Sequence, residues 1–428
     1  MPKKNRKRGK TEAGVSAAAE GMDDAMSTTS HGSLSSEQSL DPFADAVVDD
    51  GADDLSAQVS FEEKLGEAIE GILEKSLKAR VNSIKSVCSA MRKRILTDFL
   101  VDRYVTLTDA LERSLKKGKG DEQANAATGL MLLSIQLGLT DEGEAAFHSF
   151  QPTLQALMLD PSASFPARAQ CAEALGLCGF IAANDLEVIA DLMSKLESVF
   201  VKSYLKGDKT PPSLSPQTCN LHRAAIEAWN LLLSISTPNS VKPLVDRHLH
   251  KLPELLESPD LDVRIAAGES ISLLYELARE QDEDFEGPQM NELCEKLRQM
   301  STDNNKHQHK KNRKQQRSSF RDILNSVESG EFAEYDCKVG SESIYIDTWA
   351  RKRQYDSLCS NLESGMNTHL RDNVLLRDIF GLGAPLPVGP ITDKASKTDR
   401  KLYNQALFKA RTLVRQKQRD KRMAKLSG

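Results

Sequence analysis

The stretch DLDVRIAAGESISLLYELARE, at residues 260–280, decides the fold class. Asp260 is a residue type that caps a helix N-terminus, and behind it apolar residues recur at intervals of three and four. This spacing predicts an amphipathic α-helix that buries one face. Ala267 and Gly268 carry little or no side chain on that helix, so they let a neighbouring helix approach closely.

The same pattern recurs along the chain. Five segments begin at residues 80, 125, 168, 222 and 264, so their starts are 45, 43, 54 and 42 residues apart. The fourth residue after each start is small or apolar and the seventh is apolar. These positions hold Ile84, Gly129, Ala172, Ile226 and Gly268, and then Val87, Leu132, Leu175, Trp229 and Ile271. Periods of about 40–47 residues are typical of HEAT and armadillo arrays. The long interval contains a Pro-rich insertion at 207–219.

The repeat predicts an all-α protein in which residues 60–302 form an armadillo/HEAT-like helical-repeat solenoid. One helix pair cannot bury its own apolar face, so the pairs have to stack into a continuous core. Aromatic residues make up only 5% of the chain, which also favours helices over sheets. The alternative that the pattern leaves open is a single irregular helical bundle.

The flanking segments complete the predicted organisation. Residues 1–59 contain few large apolar side chains and predict a disordered tail, basic at its start and acidic near its end. Residues 303–317 predict a basic linker that forms either a helix or a mobile loop. Residues 318–392 predict a small, mainly helical C-terminal domain, with helices at 320–327, 349–362 and 366–380 and a short strand at 343–349. Residues 393–428 predict a basic C-terminal helix, and a further helix is expected at 290–300.

Charge is distributed very unevenly along the chain. The first ten residues carry +6, residues 306–317 carry +6, and residues 393–428 carry +9. The whole chain carries −5, so the remainder has a net charge of −26. An acidic body with three basic segments indicates contact with a polyanion.

The basic segments supply the candidate binding residues. Phosphate-backbone contact with structured RNA suits them better than single-strand reading, because Tyr403 and Phe408 are the only aromatic residues in the last segment. The predicted RNA-binding residues are Lys310, Lys311, Arg313, Lys314, Lys401, Lys409, Arg411, Arg415, Lys417, Arg419, Lys421, Arg422 and Lys425. The start of the chain also matches a nuclear import signal, formed by Lys3, Lys4, Arg6, Lys7 and Arg8.

Nothing in the sequence predicts an enzyme. It contains neither a GxxxxGK[ST] phosphate loop nor a GxSxG nucleophile elbow. The close histidine pairs at 248/250 and 307/309 lack further metal ligands, and we interpret them as surface histidines. The seven dispersed cysteines indicate buried free thiols in a reducing compartment. We therefore expect no cofactor, metal or small-molecule substrate. The apolar runs are too short for a membrane span, and no secretory signal is expected.

Several long strings resemble the interferon-related developmental regulator family. They are TLTDALERSLKKGKGDEQ (106–123), FVKSYLKG (200–207), RIAAGESISLLYELARE (264–280), QRSSFRDIL (316–324), YIDTWARKRQYDSL (345–358), LRDIFGLG (376–383) and LYNQALFKARTLVRQKQRDKR (402–422). The resemblance implies an armadillo-like domain followed by a smaller family-specific C-terminal domain.

The resemblance also implies one of two functions. The first is binding to ribosomes that are not translating, with the basic C-terminal helix in the mRNA path; the partners are then ribosomal RNA and ribosomal proteins. The second is a nuclear scaffold for transcription or corepressor proteins in differentiation, bound through the repeat domain. The expected location is the cytoplasm, with the nucleus as a further compartment.

Overall fold

Helices dominate residues 54–302 and 309–384, which are the residues that the computed structural model describes. In chain order these helices are α1 (Asp54–Gly71), α2 (Leu77–Lys93), α3 (Thr97–Val101), α4 (Tyr104–Lys117), α5 (Asp121–Leu137), α6 (Asp141–Leu159), α7 (Phe165–Ala182), α8 (Leu186–Phe200), α9 (Pro216–Leu233), α10 (Pro238–His248), α11 (Leu252–Leu255), α12 (Leu261–Arg279), α13 (Met290–Thr302), α14 (Lys310–Ser329), α15 (Trp349–Leu362), α16 (Met366–Asp372) and α17 (Val374–Phe380). Between α14 and α15 lie strands β1 (Tyr335–Val339) and β2 (Glu342–Ile346).

The helices form a stacked array of pairs. Helices α2, α5, α7, α9, α12 and α14 pack on one another in that order, and we call them the inner row. Helices α1, α4, α6, α8, α10 with α11, and α13 each pack on an inner helix. The all-α repeat architecture predicted from the sequence is therefore confirmed. None of these helices has the combination of length and apolarity that a membrane crossing requires.

The aligned positions of the five predicted segments lie in the core. Every residue at the fourth or seventh position of the alignment is buried on an inner helix. The close approach predicted at Gly268 is present, because a Cβ on this residue would lie 2.6 Å from Ile323 Cδ1 on α14. The inner helices consequently have apolar residues on several faces. On α5, every residue from 129 to 137 is buried, as expected for a helix packed on more than one side.

Three of the five segments begin with an arginine, and its side chain donates to a backbone carbonyl that lies before the helix. Arg80 Nη1 donates to the carbonyl of Lys75 at 2.9 Å, and Arg168 Nε donates to that of Met158 at 2.9 Å. In α12, Arg264 Nη1 donates to Ser258 O at 2.7 Å. Carbonyls that no helix satisfies thus gain charge-assisted hydrogen bonds.

Beyond residue 302 the chain continues the array before it changes character. Helix α13 forms a pair with α14, and α14 packs on α12 as the last inner helix. The predicted boundary at residue 302 falls between these two helices. The predicted alternatives for residues 310–317 are resolved as helix. Helix α1 begins at Asp54, inside the predicted tail, and residues 1–53 lie outside the described residues.

A short antiparallel hairpin separates the repeats from the last helices. In its register Tyr335 is opposite Ile346 and Val339 is opposite Glu342. The strand predicted at 343–349 corresponds to β2, which begins one residue earlier and ends at Ile346. The sequence does not predict β1. Helix α15 has the predicted bounds. The helix predicted at 366–380 is divided into α16 and α17 by Asn373, whose side chain accepts hydrogen bonds from the backbone of Leu375 and Leu376.

Candidate functional site

The last helices pack on the inner row. Helix α15 contacts α9, α12, α2 and α5, and α16 contacts α2. They therefore cover a face of the inner helices that is not covered by their partners α1, α4, α6, α8, α10, α11 and α13. A peptide partner could lie along this face only by displacing them.

Charged side chains line the contact between α15 and the inner row. On α9, Arg223 Nη1 lies 2.5 Å from Glu227 Oε2, and its Nη2 lies 3.4 Å from Glu173 Oε1 on α7. On α15, Lys352 Nζ lies 2.7 Å from Glu269 on α12 and 2.7 Å from Asp356. Burial disfavours the charged form of Lys352, but these two carboxylates raise its pKa overall.

A carboxylate from α12 caps the first turn of α15. The backbone N–H of Trp349 donates to Glu276 Oε2 at 2.6 Å, and that of Ala350 donates to Oε1 at 3.0 Å. The N-terminus of a helix favours an anion, because its first N–H groups have no partner within the helix. Burial nevertheless raises the pKa of Glu276 to about 7, and the two backbone bonds only partly oppose that shift.

Helix α16 is fastened to α2 by a buried histidine. His369 Nε2 donates to Met91 O at 3.0 Å, and Nδ1 accepts from Asn373 Nδ2 at 3.1 Å. These two bonds use the neutral ring fully. Burial lowers the pKa of His369 to about 4. Beside it, Arg92 Nε donates to Asn361 O at 2.8 Å, so the end of α2 holds both α15 and α16.

Arg377 on α17 organises the end of the described chain. Its side chain is 1% exposed and forms a bidentate ion pair with Glu342 on β2, at 2.9 and 3.0 Å. The guanidinium also donates to the carbonyls of Leu370, Arg371, Leu382, Gly383 and Ala384. One buried cation therefore joins the hairpin, α16 and the turn that follows α17.

Two family profiles match the chain over these elements. The profile described as interferon-related developmental regulator matches residues 26–328, and the interferon-related protein conserved region matches residues 373–423.

The chain belongs to the interferon-related developmental regulator family.

Curated relatives agree over most of the sequence. Interferon-related developmental regulator 2 of Mus musculus is 44% identical over 385 residues, covering 88% of this chain and 86% of the relative. Regulator 1 of Sus scrofa is 43% identical over 373 residues, covering 86% and 83%. An uncharacterised protein of Schizosaccharomyces pombe is 24% identical over 177 residues, covering 37% and 39%. The family expected from the sequence is therefore confirmed.

Solved repeat proteins resemble the array more distantly. A designed armadillo repeat protein aligns at 13% identity with a TM-score of 0.38, covering 61% of this chain and all of that one. The HEAT-like repeats protein of Thermococcus onnurineus aligns at 14% identity with a TM-score of 0.39, covering 65% and 93%.

Of the predicted RNA-binding residues of this family member, the structure describes those on α14. Lys310, Lys311 and Lys314 are exposed and Arg313 is half-buried. The others, from Lys401 to Lys425, lie outside the described residues, as do the residues of the predicted import signal. The conserved-region profile spans both Arg377 and most of that predicted basic segment.

The structure also shows the environment of the histidines and cysteines considered in the sequence. His250 and His309 are exposed as predicted, and His307 lies outside the described residues. The interpretation of His248 as a surface residue is wrong. His248 is 1% exposed, because its ring packs edge-on against Trp229 with the centroids 4.8 Å apart. The buried thiols are confirmed for all cysteines except Cys359, which is half-buried. No group of His, Cys, Asp and Glu among the described residues could hold a metal ion.

Sequence reasoning missed the buried pair of Ser203 and His222. Ser203 Oγ lies 2.5 Å from His222 Nδ1. Both side chains are almost fully buried, and burial lowers the pKa of His222 to about 4. A nucleophile needs access to its substrate, so we interpret this contact as a link between α9 and the turn after α8.

Proposed function

We propose that this protein regulates translation by binding ribosomes that are not translating. The basic segment 393–428 enters the mRNA path and inhibits translation. The observation that carries the proposal is the charge of this segment, +9 in a chain whose net charge is −5. A segment of this charge is suited to a channel lined with RNA phosphates, since each neutralised phosphate releases counterions.

The occupied face of the inner row supports the same proposal. Helices α15 and α16 cover part of the surface along which a solenoid could hold a peptide. The basic segments thus become the stronger candidates for partner contact. Ribosomal RNA would be their ligand, and ribosomal proteins would contact the acidic remainder of the chain.

Sedimentation through a sucrose gradient tests this proposal. At low salt the protein should travel with ribosomal particles and return to the top of the gradient after RNase treatment. A variant with Arg415, Lys417, Arg419 and Arg422 changed to Glu should lose co-sedimentation. The matched control changes the exposed Lys78, Lys85, Lys117 and Lys119 to Glu and should still sediment with ribosomes. Protein that remains at the top at low salt overturns the proposal.

A second candidate is a nuclear scaffold that binds transcription or corepressor proteins. The sequence PKKNRKR, which contains Lys3, Lys4, Arg6, Lys7 and Arg8, favours it as an import signal. Cell fractionation separates the candidates, because strictly cytoplasmic protein in every growth state excludes the nuclear role. Changing those five residues to Ala should abolish nuclear accumulation and leave ribosome association intact.

A further inference from the structure

The first half of α14 presents basic side chains on an ordered helix. Residues 310–321 contain six Lys or Arg residues and no acidic residue. Lys310, Lys311, Lys314 and Arg321 are exposed, and Arg313 and Arg317 flank them. We call these six residues the α14 basic face. At 1.5 Å per residue the face extends about 16 Å along the helix axis.

This charge is poorly placed for the stability of α14 alone. The positive end of a helix dipole lies at the N-terminus, yet no acidic residue occupies the first turn and His309 provides no side-chain cap. In the described part of the chain, Lys310, Arg313 and Lys314 form no ion pair with an acidic residue. A bound polyanion would relieve both the repulsion between these neighbours and the unfavourable dipole.

The rest of the helix holds the basic face rigidly. Phe320, Ile323 and Val327 are buried against the array. Further towards the N-terminus, Gln316 Oε1 accepts from Arg264 Nη2 at 2.8 Å, which ties this part of α14 to α12. Side chains three and four residues apart on a fixed helix are about 5–6 Å apart, a spacing that suits successive phosphates along one strand.

We propose that the α14 basic face binds the phosphate backbone of duplex RNA at a site separate from the C-terminal segment. This inference deepens the proposed function, because it assigns one of the two basic segments its own ligand. Duplex RNA is favoured over single strands because the face contains no aromatic side chain on which bases could stack.

Fluorescence anisotropy with a 20-base-pair RNA duplex and the full chain tests the inference. Changing Lys310, Lys314, Arg317 and Arg321 to Gln removes four charges and does not introduce a poor helix former. We expect the slope of log K against log salt to flatten by about three to four, with roughly ten- to hundredfold weaker binding at moderate salt. The control changes Lys78, Lys85, Lys117 and Lys119 to Gln and should leave the slope nearly unchanged.

Three results overturn the inference. In the first, the α14 variant binds duplex RNA with the same affinity and salt dependence as the control variant. In the second, the slope of log K against log salt flattens only when Arg415, Lys417, Arg419 and Arg422 are changed to Gln. In the third, polyglutamate competes as well as RNA at equal charge concentration, which assigns the face to an acidic protein. Ribosome sedimentation is measured separately. A chain that binds the duplex through α14 but never sediments with ribosomes retains this inference and loses the proposed function.

Discussion

The backbone of Gly365 lies directly against the carbonyl oxygen of Arg92. Gly365 precedes α16 and Arg92 lies in the last turn of α2, so this contact joins the C-terminal helices to the first inner helix. A Cβ on Gly365 would overlap that oxygen. Because the obstacle is backbone, no side-chain rotation can relieve the clash.

Changing Gly365 to Ala should therefore destabilise the protein. We expect a loss of about 1–3 kcal/mol in the free energy of unfolding, as for other overpacked sites. Urea unfolding monitored by circular dichroism measures it. The matched control is Gly66→Ala in α1, where a Cβ meets nothing within 4 Å and Ala is the better helix former. Equal stability of both variants would contradict the close approach.

The periodic part of the fold was predictable because each inner helix repeats one burial pattern. Val87, Leu132 and Ile271 occupy the same position of the alignment, and all are fully buried. The sixth inner helix, α14, departs from the pattern of the five aligned segments. Gln316 stands where α2, α7 and α12 have arginine, and a basic segment precedes it. Local helix signals remained strong enough to predict α13 and the buried part of α14.

Contacts that join distant segments could not be read from the sequence. Lys352 and Glu269 are 83 residues apart, and each has the spacing of an ordinary solvated charge on its own helix. The sequence YDCKV of strand β1 alternates apolar and polar residues as a strand does, but the alternation is only five residues long, and its pairing with β2 is a tertiary contact. Five of the six residues of the α14 basic face lie in the basic segment 306–317, which composition alone identifies because a run of charge does not depend on tertiary contacts. Arg321 lies beyond that segment.

Buried histidines should make stability depend on pH between about 4 and 6.5. The pKa of His369 falls from an ordinary 6.5 to about 4 in the folded chain. The unfolded chain then binds more protons in this window, so the free energy of unfolding decreases as the pH falls through it. The shift corresponds to about 3 kcal/mol. His222 should contribute in the same direction.

His369→Gln tests this dependence. The amide retains a donor and an acceptor, but it does not titrate. We expect lower stability at pH 7 and a flatter decline between pH 6.5 and 4, measured by urea unfolding at each pH. His250→Gln, at an exposed position, serves as the control and should follow the parent curve. A slope that His369→Gln leaves unchanged would contradict the assignment.

Glu276 should oppose the histidines. Its pKa in the folded chain, about 7, lies above the ordinary 4.5, so the folded chain binds more protons between these values. Stability from this group is present at low pH and decreases as the pH rises towards 7. Glu276→Gln removes the opposing effect. The variant's loss of stability on acidification should therefore be steeper than the parent's. A flatter curve would show that the folded chain lowers the pKa of Glu276 instead of raising it.

Arg377→Lys should be strongly destabilising although it conserves charge. A lysine cannot reproduce the planar pair of bonds to Glu342 or reach all five carbonyls that Arg377 satisfies. Breaking a buried ion pair typically costs about 3–5 kcal/mol, because the remaining groups stay buried without partners. The expected result is a loss of that order in urea unfolding, together with faster proteolysis near residues 382–384.

The neighbouring arginine provides the matched control for this substitution. The side chain of Arg371 is 68% exposed, and among the described residues its ion-pair partner is the adjacent Asp372, so Arg371→Lys should change stability by less than about 0.5 kcal/mol. Both substitutions conserve the charge. A large loss of stability in Arg377→Lys and a small one in Arg371→Lys would therefore show that the effect comes from the geometry around Arg377. If both variants unfold at the same urea concentration, the hydrogen bonds of Arg377 do not hold the hairpin, α16 and the final turn together.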